Sequence, residues 1–189
     1  MDHYVEIRLQ PDPEFPVHQL MNALFAKLHR TLVEQGSTDI GVSFPAAGTQ
    51  ATGMGDRMRL HGPEPALHRC MTQHWLKGMH DHAHCSDLLS VPDGCSQQTV
   101  RRVQALGGSD LRRLRKRLMA RTNCSAEEAA RQVPDAAAER LKLPFLTMRS
   151  ASTGQTFRVF VQQAAAGQQQ DGAFNTYGFS RTATLPHFD

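Results

Sequence analysis

Six of the ten residues from Arg112 to Arg121 are Lys or Arg, and Leu111, Leu114 and Leu118 recur among them. On a helical wheel the leucines share one side. Arg112, Arg113, Lys116 and Arg117 take the other, and Arg121 extends the Arg113–Arg117 stripe at i+4 spacing. Like charges at that spacing repel, so the ridge costs helix stability, and only Asp110 stands near to offset it. A guanidinium fork donates paired hydrogen bonds to phosphate, so the pattern suits a polyanion better than a merely solvated face. Just upstream, Arg102 and Gln104 stand two apart on an extended piece and share a face. Arg can pair with guanine O6/N7 and Gln with adenine N6/N7. A third constellation is HDHAHC at 80–85, with Cys70 and His74 nearby. If extended, it would place His80, His82 and His84 on one face, a donor set for zinc or nickel. No carboxylate-rich catalytic set accompanies it, so an exposed cluster is the preferred reading and no metal or other cofactor is expected.

These residues need elements to position them. HYVEIRL alternates, with Val5, Ile7 and Leu9 on one face, and predicts a half-buried strand. Leu20, Leu24, Leu28 and Leu32 recur every four residues until Gly36, which predicts a helix and its stop. Ile40, Val42 and Phe44 alternate up to Pro45, residues 46–55 read as a loop, and Met58 and Leu60 mark a third strand. Residues 66–79 read as a second helix and 88–91 as a fourth strand. The order βαββαβ is the ferredoxin-like split motif, a fold with many functions. After a junction at PDGCSQQ come the extended TVRRVQA, the Gly107-Gly108 break, and Ser109 as N-cap of the basic helix. A further helix opens on Ser125 and Glu128 at capping-box spacing and runs towards Leu141, interrupted before Pro134. LPFLTMR, FRVFVQ and FNTYGF read as three closing strands, with AAAGQQQDG as a hairpin loop. The expected class is therefore α+β: a ferredoxin-like (RRM-like) domain at 1–94, then a smaller α+β domain at 95–189 carrying the arginine-rich helix.

Charge divides the chain in the same place. Residues 1–98 hold 7 Lys+Arg against 11 Asp+Glu, a balance of −4, and residues 99–189 hold 14 against 7, a balance of +7. A scaffold half and a polyanion-facing half are implied. Cys70, Cys85, Cys95 and Cys124 show no CxxC spacing, which suits a reducing cytoplasm. No apolar run reaches bilayer-spanning length, so no membrane partner is expected. Asp2 and Glu6 arrive before any apolar stretch, so no signal peptide is expected either.

The segments MDHYVEIRLQPDPEFPVHQLM, IGVSFP, RVQ, RLMAR, LPFLTMRSASTGQTFRVF and FNTYGFS, in that order, resemble the type I-F CRISPR repeat endoribonuclease, a Csy-type member of the Cas6 family that processes precursor CRISPR RNA. The likeness covers nearly the whole chain. It implies that His29 on the first helix lies by the scissile phosphate, with Ser150 and Tyr177 as the other active-site residues. Taken without the family, His29 reads as a boundary histidine satisfied by a backbone group, Ser150 as a strand-end serine and Tyr177 as a core aromatic. The resemblance also sets Arg102 and Gln104 against bases at the foot of an RNA hairpin. Arg117 and Arg121 of the basic helix lie in its groove, with Arg112, Arg113 and Lys116 of the same helix also expected to bind RNA. Phe157 stacks on a terminal base pair, and Ser152 and Thr153 lie near the cleaved nucleotide. Lys116 and Ala120 stand where the family often has arginine, and Asp189 follows the last aromatic residue.

The activity implied is metal-independent cleavage at the base of the repeat stem-loop by the RNA's own 2′-hydroxyl, giving a 2′,3′-cyclic phosphate and a 5′-hydroxyl. The implied partners are CRISPR repeat RNA, as precursor and as retained hairpin product, and the other subunits of the type I-F surveillance complex. The competing reading is a non-catalytic hairpin-binding subunit of such a complex, which would need the same basic helix but not His29.

Overall fold

Strand β1 (His3–Leu9) buries Val5, Ile7 and Leu9 and leaves the alternate residues towards solvent, as its alternation predicts. This is seen in a computed structural model that describes residues 1–48, 53–104, 108–134 and 141–189. Helix α1 (Val17–Gln35) buries Leu20, Leu24, Leu28 and Leu32 together with Met21 and Phe25. It stops at Gly36, whose φ of 60° is the left-handed cap that glycine adopts without a Cβ penalty. Strands β2 (Gly41–Ser43) and β3 (Arg57–Gly62) follow, and β3 pairs antiparallel with both β1 and β2. Residues 49–52 of the intervening loop lie outside the described set.

Helix α2 (Glu64–Met71) is shorter than the predicted 66–79. His74 (φ 50°) and Gly78 (φ 78°) take left-handed conformations that a helix cannot continue through. The apolar spacing was nonetheless informative, because Trp75 and Met79 are buried from turns instead. The fourth strand is also displaced. It is split into β4 (Ala83–Cys85) and β5 (Leu89–Ser90), both antiparallel to β1. Ile7 faces Cys85 whereas Tyr4 faces Leu89, so the register gains one residue between them. Ser86 bridges this bulge: its N–H donates to Glu6 O and its Oγ accepts from Glu6 N, each at 2.9 Å. The resulting order, β2-β3-β1 flanked by β4 and β5, is that of the split βαββαβ motif.

A second antiparallel sheet is built from β6 (Ser96–Val103), β7 (Phe145–Arg149), β8 (Thr156–Ala166) and β9 (Leu185–His187), in the order β7-β8-β6-β9. In chain order this is again 2-3-1-4. FNTYGF is not its last strand. It forms a turn, and the edge position falls to residues 185–187 beside β6. Strand β8 also absorbs the three alanines assigned to the hairpin loop.

The two sheets share one hydrophobic core. Helix α1 packs on β1 and on β7. Asn22 Oδ1 accepts from Thr147 N at 2.9 Å, and Gln163 brackets Phe44 by accepting from its N–H (2.8 Å) and donating to its carbonyl (2.9 Å). The junction expected near residue 94 falls in the turn between the sheets, but contacts gather residues 1–103 and 143–189 into one compact unit and set off 104–142 as a second. That second unit contains α3 (Gly108–Thr122) and α4 (Ala126–Gln132). No helix among the described residues is long and apolar enough to cross a membrane.

Candidate functional site

One turn after Phe25, at the edge of the buried face of α1, His29 is half-buried. Its Nδ1 lies 2.7 Å from the carbonyl oxygen of Thr176. A carbonyl can only accept, so Nδ1 carries a hydrogen and the neutral ring has its lone pair on Nε2. The backbone bond of the bland reading is therefore present, and it is also what sets the tautomer. Tyr177 lies flat on the imidazole, with ring centroids 4.2 Å apart and planes 4° from parallel. Phe25 and Phe179 continue the stack at 6.2 Å from Tyr177.

What holds Thr176 and Tyr177 in place is the turn at 174–179. Asn175 Oδ1 accepts from the N–H groups of Tyr177 (2.9 Å) and Phe179 (3.2 Å), replacing the ladder that a strand would have made. Gly178 has φ of +72°, and its carbonyl accepts from Val42 N at 2.8 Å. A Cβ at Gly178 would stand 2.3 Å from Val42 Cγ2. The turn is thus pressed onto β2 and can be occupied only by glycine.

Opposite α1 is the turn joining β7 to β8. Ser150 N donates to Gln155 O and Gly154 N to Ser150 O, both at 2.9 Å. Ser150 Oγ accepts from Thr153 N at 3.2 Å and lies 3.1 Å from Ser152 Oγ. Ser150, His29, Tyr177 and Phe157 line one cleft of about 690 Å³. Ser152 and Thr153 are exposed at the tip of the same turn. Arg102, on β6, holds its guanidinium over the rings of both Phe157 (5.7 Å) and Tyr177 (5.6 Å). Gln104 is exposed just past the end of β6, at the first residue of the second unit.

Sequence reasoning missed Arg30, Glu34 and Arg149, which also line the cleft. Arg149 Nε donates to Gly154 O at 3.2 Å, which ties the side chain to the turn. The available signal was adjacency: Arg30 follows His29 and Arg149 precedes Ser150.

Within the second unit, Arg112, Arg113, Lys116, Arg117 and Arg121 are all exposed on α3. The leucines behave less uniformly than the wheel predicts. Leu111 is buried and Leu118 half-buried, but Leu114 is 38% exposed. Arg115, in the middle of the run, is turned inward, its Nε and Nη2 donating to Val133 O at 2.9 and 2.7 Å. That bond closes the end of α4 onto α3. The Ser125–Glu128 capping box is present at the start of α4. Ser109 lies inside α3 rather than before it, because the helix begins at Gly108. Residues 105–107 and 135–140, with part of the predicted glycine break and the extension towards Leu141, lie outside the described set.

HDHAHC is not extended throughout. Residues 80–82 form turns, and only 83–85 belong to β4. His82 Nδ1 is 2.8 Å from Asp12 Oδ2. Among the described residues no group of three or more His, Cys, Asp or Glu side chains is gathered to hold a metal ion.

A family model described as CRISPR-associated protein (Cas_Csy4) matches residues 4–188. The CRISPR-associated endonuclease Cas6/Csy4 of Pseudomonas aeruginosa (strain UCBPP-PA14) is 44% identical over 189 residues, covering 100% of both chains. A protein of the same description from Escherichia coli (strain UTI89 / UPEC) is 42% identical over 189 residues, again covering 100% of both. Among solved structures, "An RAMP protein binding different RNA substrates" aligns over 98% of this chain and 99% of its own, at 11% identity and a TM-score of 0.37, a slight likeness.

Proposed function

The chain belongs to the Cas_Csy4 family of CRISPR-associated proteins, and from that membership we propose that it is an endoribonuclease cutting precursor CRISPR RNA at the base of the repeat stem-loop. The curated relatives carry the name endonuclease. The observation that carries the reading to a mechanism is the bond from His29 Nδ1 to Thr176 O, which leaves Nε2 as the basic atom of a ring lining the same cleft as Ser150.

RNA supplies its own nucleophile. The 2′-oxygen loses its proton to His29 Nε2 and attacks the adjacent phosphorus, and the P–O5′ bond breaks as the 5′-oxygen takes a proton from solvent water. A 2′,3′-cyclic phosphate and a 5′-hydroxyl result, with no metal required. Ser150 holds the ribose so that the 2′-oxygen points at phosphorus, and Tyr177 keeps the imidazole planar to its own ring. Alignment of this kind lowers a barrier by several kcal/mol. Ser152 and Thr153 lie near the cut nucleotide, and Phe157 offers a ring face to the terminal base pair. Arg102 and Gln104 read bases at the foot of the stem. Arg112, Arg113, Lys116, Arg117 and Arg121 grip the hairpin phosphates, which favours retention of the product. The hairpin-bound protein then joins the other subunits of the type I-F complex, in the cytoplasm where its RNA is made.

A non-catalytic hairpin-binding subunit is the second reading, favoured by one observation: the basic helix belongs to one compact unit and the residues of the His29 cleft to the other. The test uses the repeat RNA of the host. Wild-type protein should cut it equally with and without EDTA and leave the end groups named above. A 2′-deoxy nucleotide at the cut and His29→Ala should each abolish cutting while hairpin affinity stays near normal. Cleavage of the deoxy RNA would sink the mechanism, and RNA bound but never cut by wild type would favour the second reading.

A further inference from the structure

Arg102 is half-buried on β6, and its Nε is shielded from solvent with no hydrogen-bond partner among the described residues. A buried N–H without an acceptor is costly and uncommon. Something other than a hydrogen bond at that atom must fix the side chain, and the rings of Phe157 and Tyr177 supply it. Tyr177 is in turn the ring stacked on His29 at 4.2 Å. Arg102, Tyr177 and His29 therefore form a continuous series of contacts from the second sheet to the first helix. Phe157 comes from β8 and Tyr177 from the 174–179 turn, so the guanidinium joins two segments that otherwise approach the cleft separately.

We infer that Arg102 is a positioning residue for His29: by holding Tyr177 against the imidazole it keeps Nε2 aimed into the cleft, in addition to any contact it makes with a base. Its Nε–H is shielded, so an acceptor brought by the RNA would meet the part of the half-buried guanidinium that stays accessible. Docking of the stem foot and alignment of His29 are then one event, carried by one side chain. A guanidinium suits both duties because its planar face lies on rings while its edge donates. Lysine keeps the charge but has no plane to lay on two rings, so it restores only part of the effect.

Two measurements test this, and only the second rests on the endoribonuclease reading. The first is NMR of RNA-free protein at a fixed pH, with the His29 ring protons identified by their loss in His29→Ala. Ring current from Tyr177 shifts these protons upfield in wild type. In Arg102→Met, which fills similar volume without charge or plane, they should move downfield. In Arg102→Lys they should lie between the two. The second is the single-turnover cleavage rate at saturating repeat RNA, where loss of affinity no longer matters. Arg102→Met should cut about tenfold slower than wild type even at saturation, and Arg102→Lys should recover part of that loss. Unmoved His29 resonances in Arg102→Met would overturn the inference, and so would a saturated rate equal to that of wild type. Failure of wild type to cut would instead count against the proposed function, while the NMR measurement would still decide the role of Arg102.

Discussion

At the scale of single residues, the cleft brings together the imidazole of His29, the hydroxyl-bearing Ser150 and Tyr177, the carboxylate of Glu34 and the guanidiniums of Arg30 and Arg149. The charge developing on phosphorus-bound oxygens during in-line attack needs a cation or donor in place beforehand, and such terms are usually large. Arg149 is tied to Gly154 O and lines the cleft beside Ser150. Arg149→Met should slow cutting at saturating RNA by roughly ten- to hundredfold, with hairpin affinity little changed. Single-turnover rates across an RNA titration check this, and a loss that disappears at high RNA would assign Arg149 to binding instead. A second residue-scale expectation concerns stability. His61 is fully buried, with its Nε2 2.8 Å from Ser43 Oγ. Burial, then the nearby Arg59 guanidinium and the N-terminal amine, push its pKa from 6.5 down to about 3. The unfolded chain takes up this proton near pH 6.5 and the folded chain does not until about pH 3. Stability is therefore lost as pH falls between those values, by up to about 1.4 kcal/mol per unit. Asp2, Asp12 and Asp39 have pKa values below the ordinary 3.8, so their contribution is lost only in stronger acid. Urea midpoints measured from pH 7 to pH 4.5 should fall for wild type and fall much less for His61→Gln.

At the scale of elements, the 174–179 turn presents Thr176 and Tyr177 to His29, and Gly178 seats that turn on Val42. Gly178→Ala combines a left-handed backbone penalty with a clash against β2. It should destabilise the protein by about 2–4 kcal/mol and slow cutting by displacing the Thr176 carbonyl. Chemical denaturation and saturated rates measure the two effects, and an unchanged midpoint would contradict the packing described. The same turn shows where sequence reading stops. Periodicity reports which residues are buried, and Phe174 and Phe179 are indeed buried. It does not report whether neighbouring strands or a side chain such as Asn175 will satisfy the backbone, so FNTYGF passed for a strand. The edge strand at 185–187 contains Pro186 and only three residues, too few to show alternation. By contrast β1, α1, β2 and β3 were legible because their burial patterns are local and their stops, Gly36 and Pro45, carry their own chemistry. His29, Ser150 and Tyr177 became a group only through family likeness. Their meeting depends on contacts spanning 147 residues, which no local pattern encodes.

At the scale of the whole molecule, the basic helix and the cleft are built from different units of the chain. The exposed basic residues of α3 lie in the 104–142 unit, whereas the ring-lined cleft belongs to the larger one. Arg117→Ala or Arg121→Ala should weaken hairpin binding and lower the salt slope by about one for each phosphate contact removed. Cutting should remain intact once RNA saturates the protein. Affinities at several salt concentrations, paired with saturated rates, separate these outcomes. A slope unchanged in both variants would remove α3 from the phosphate contacts.

The interleaving of the two units also imposes an order in time. Synthesis runs from the N-terminus, so His29 emerges early, the basic helix next, and Ser150 and Tyr177 only near the end. The larger unit needs both 1–103 and 143–189, and contacts of such long separation close slowly. A chain still on the ribosome, or one broken off before residue 143, would carry the basic ridge without the means to complete the cleft. Translation itself thus places completion of the cleft after the appearance of the basic ridge.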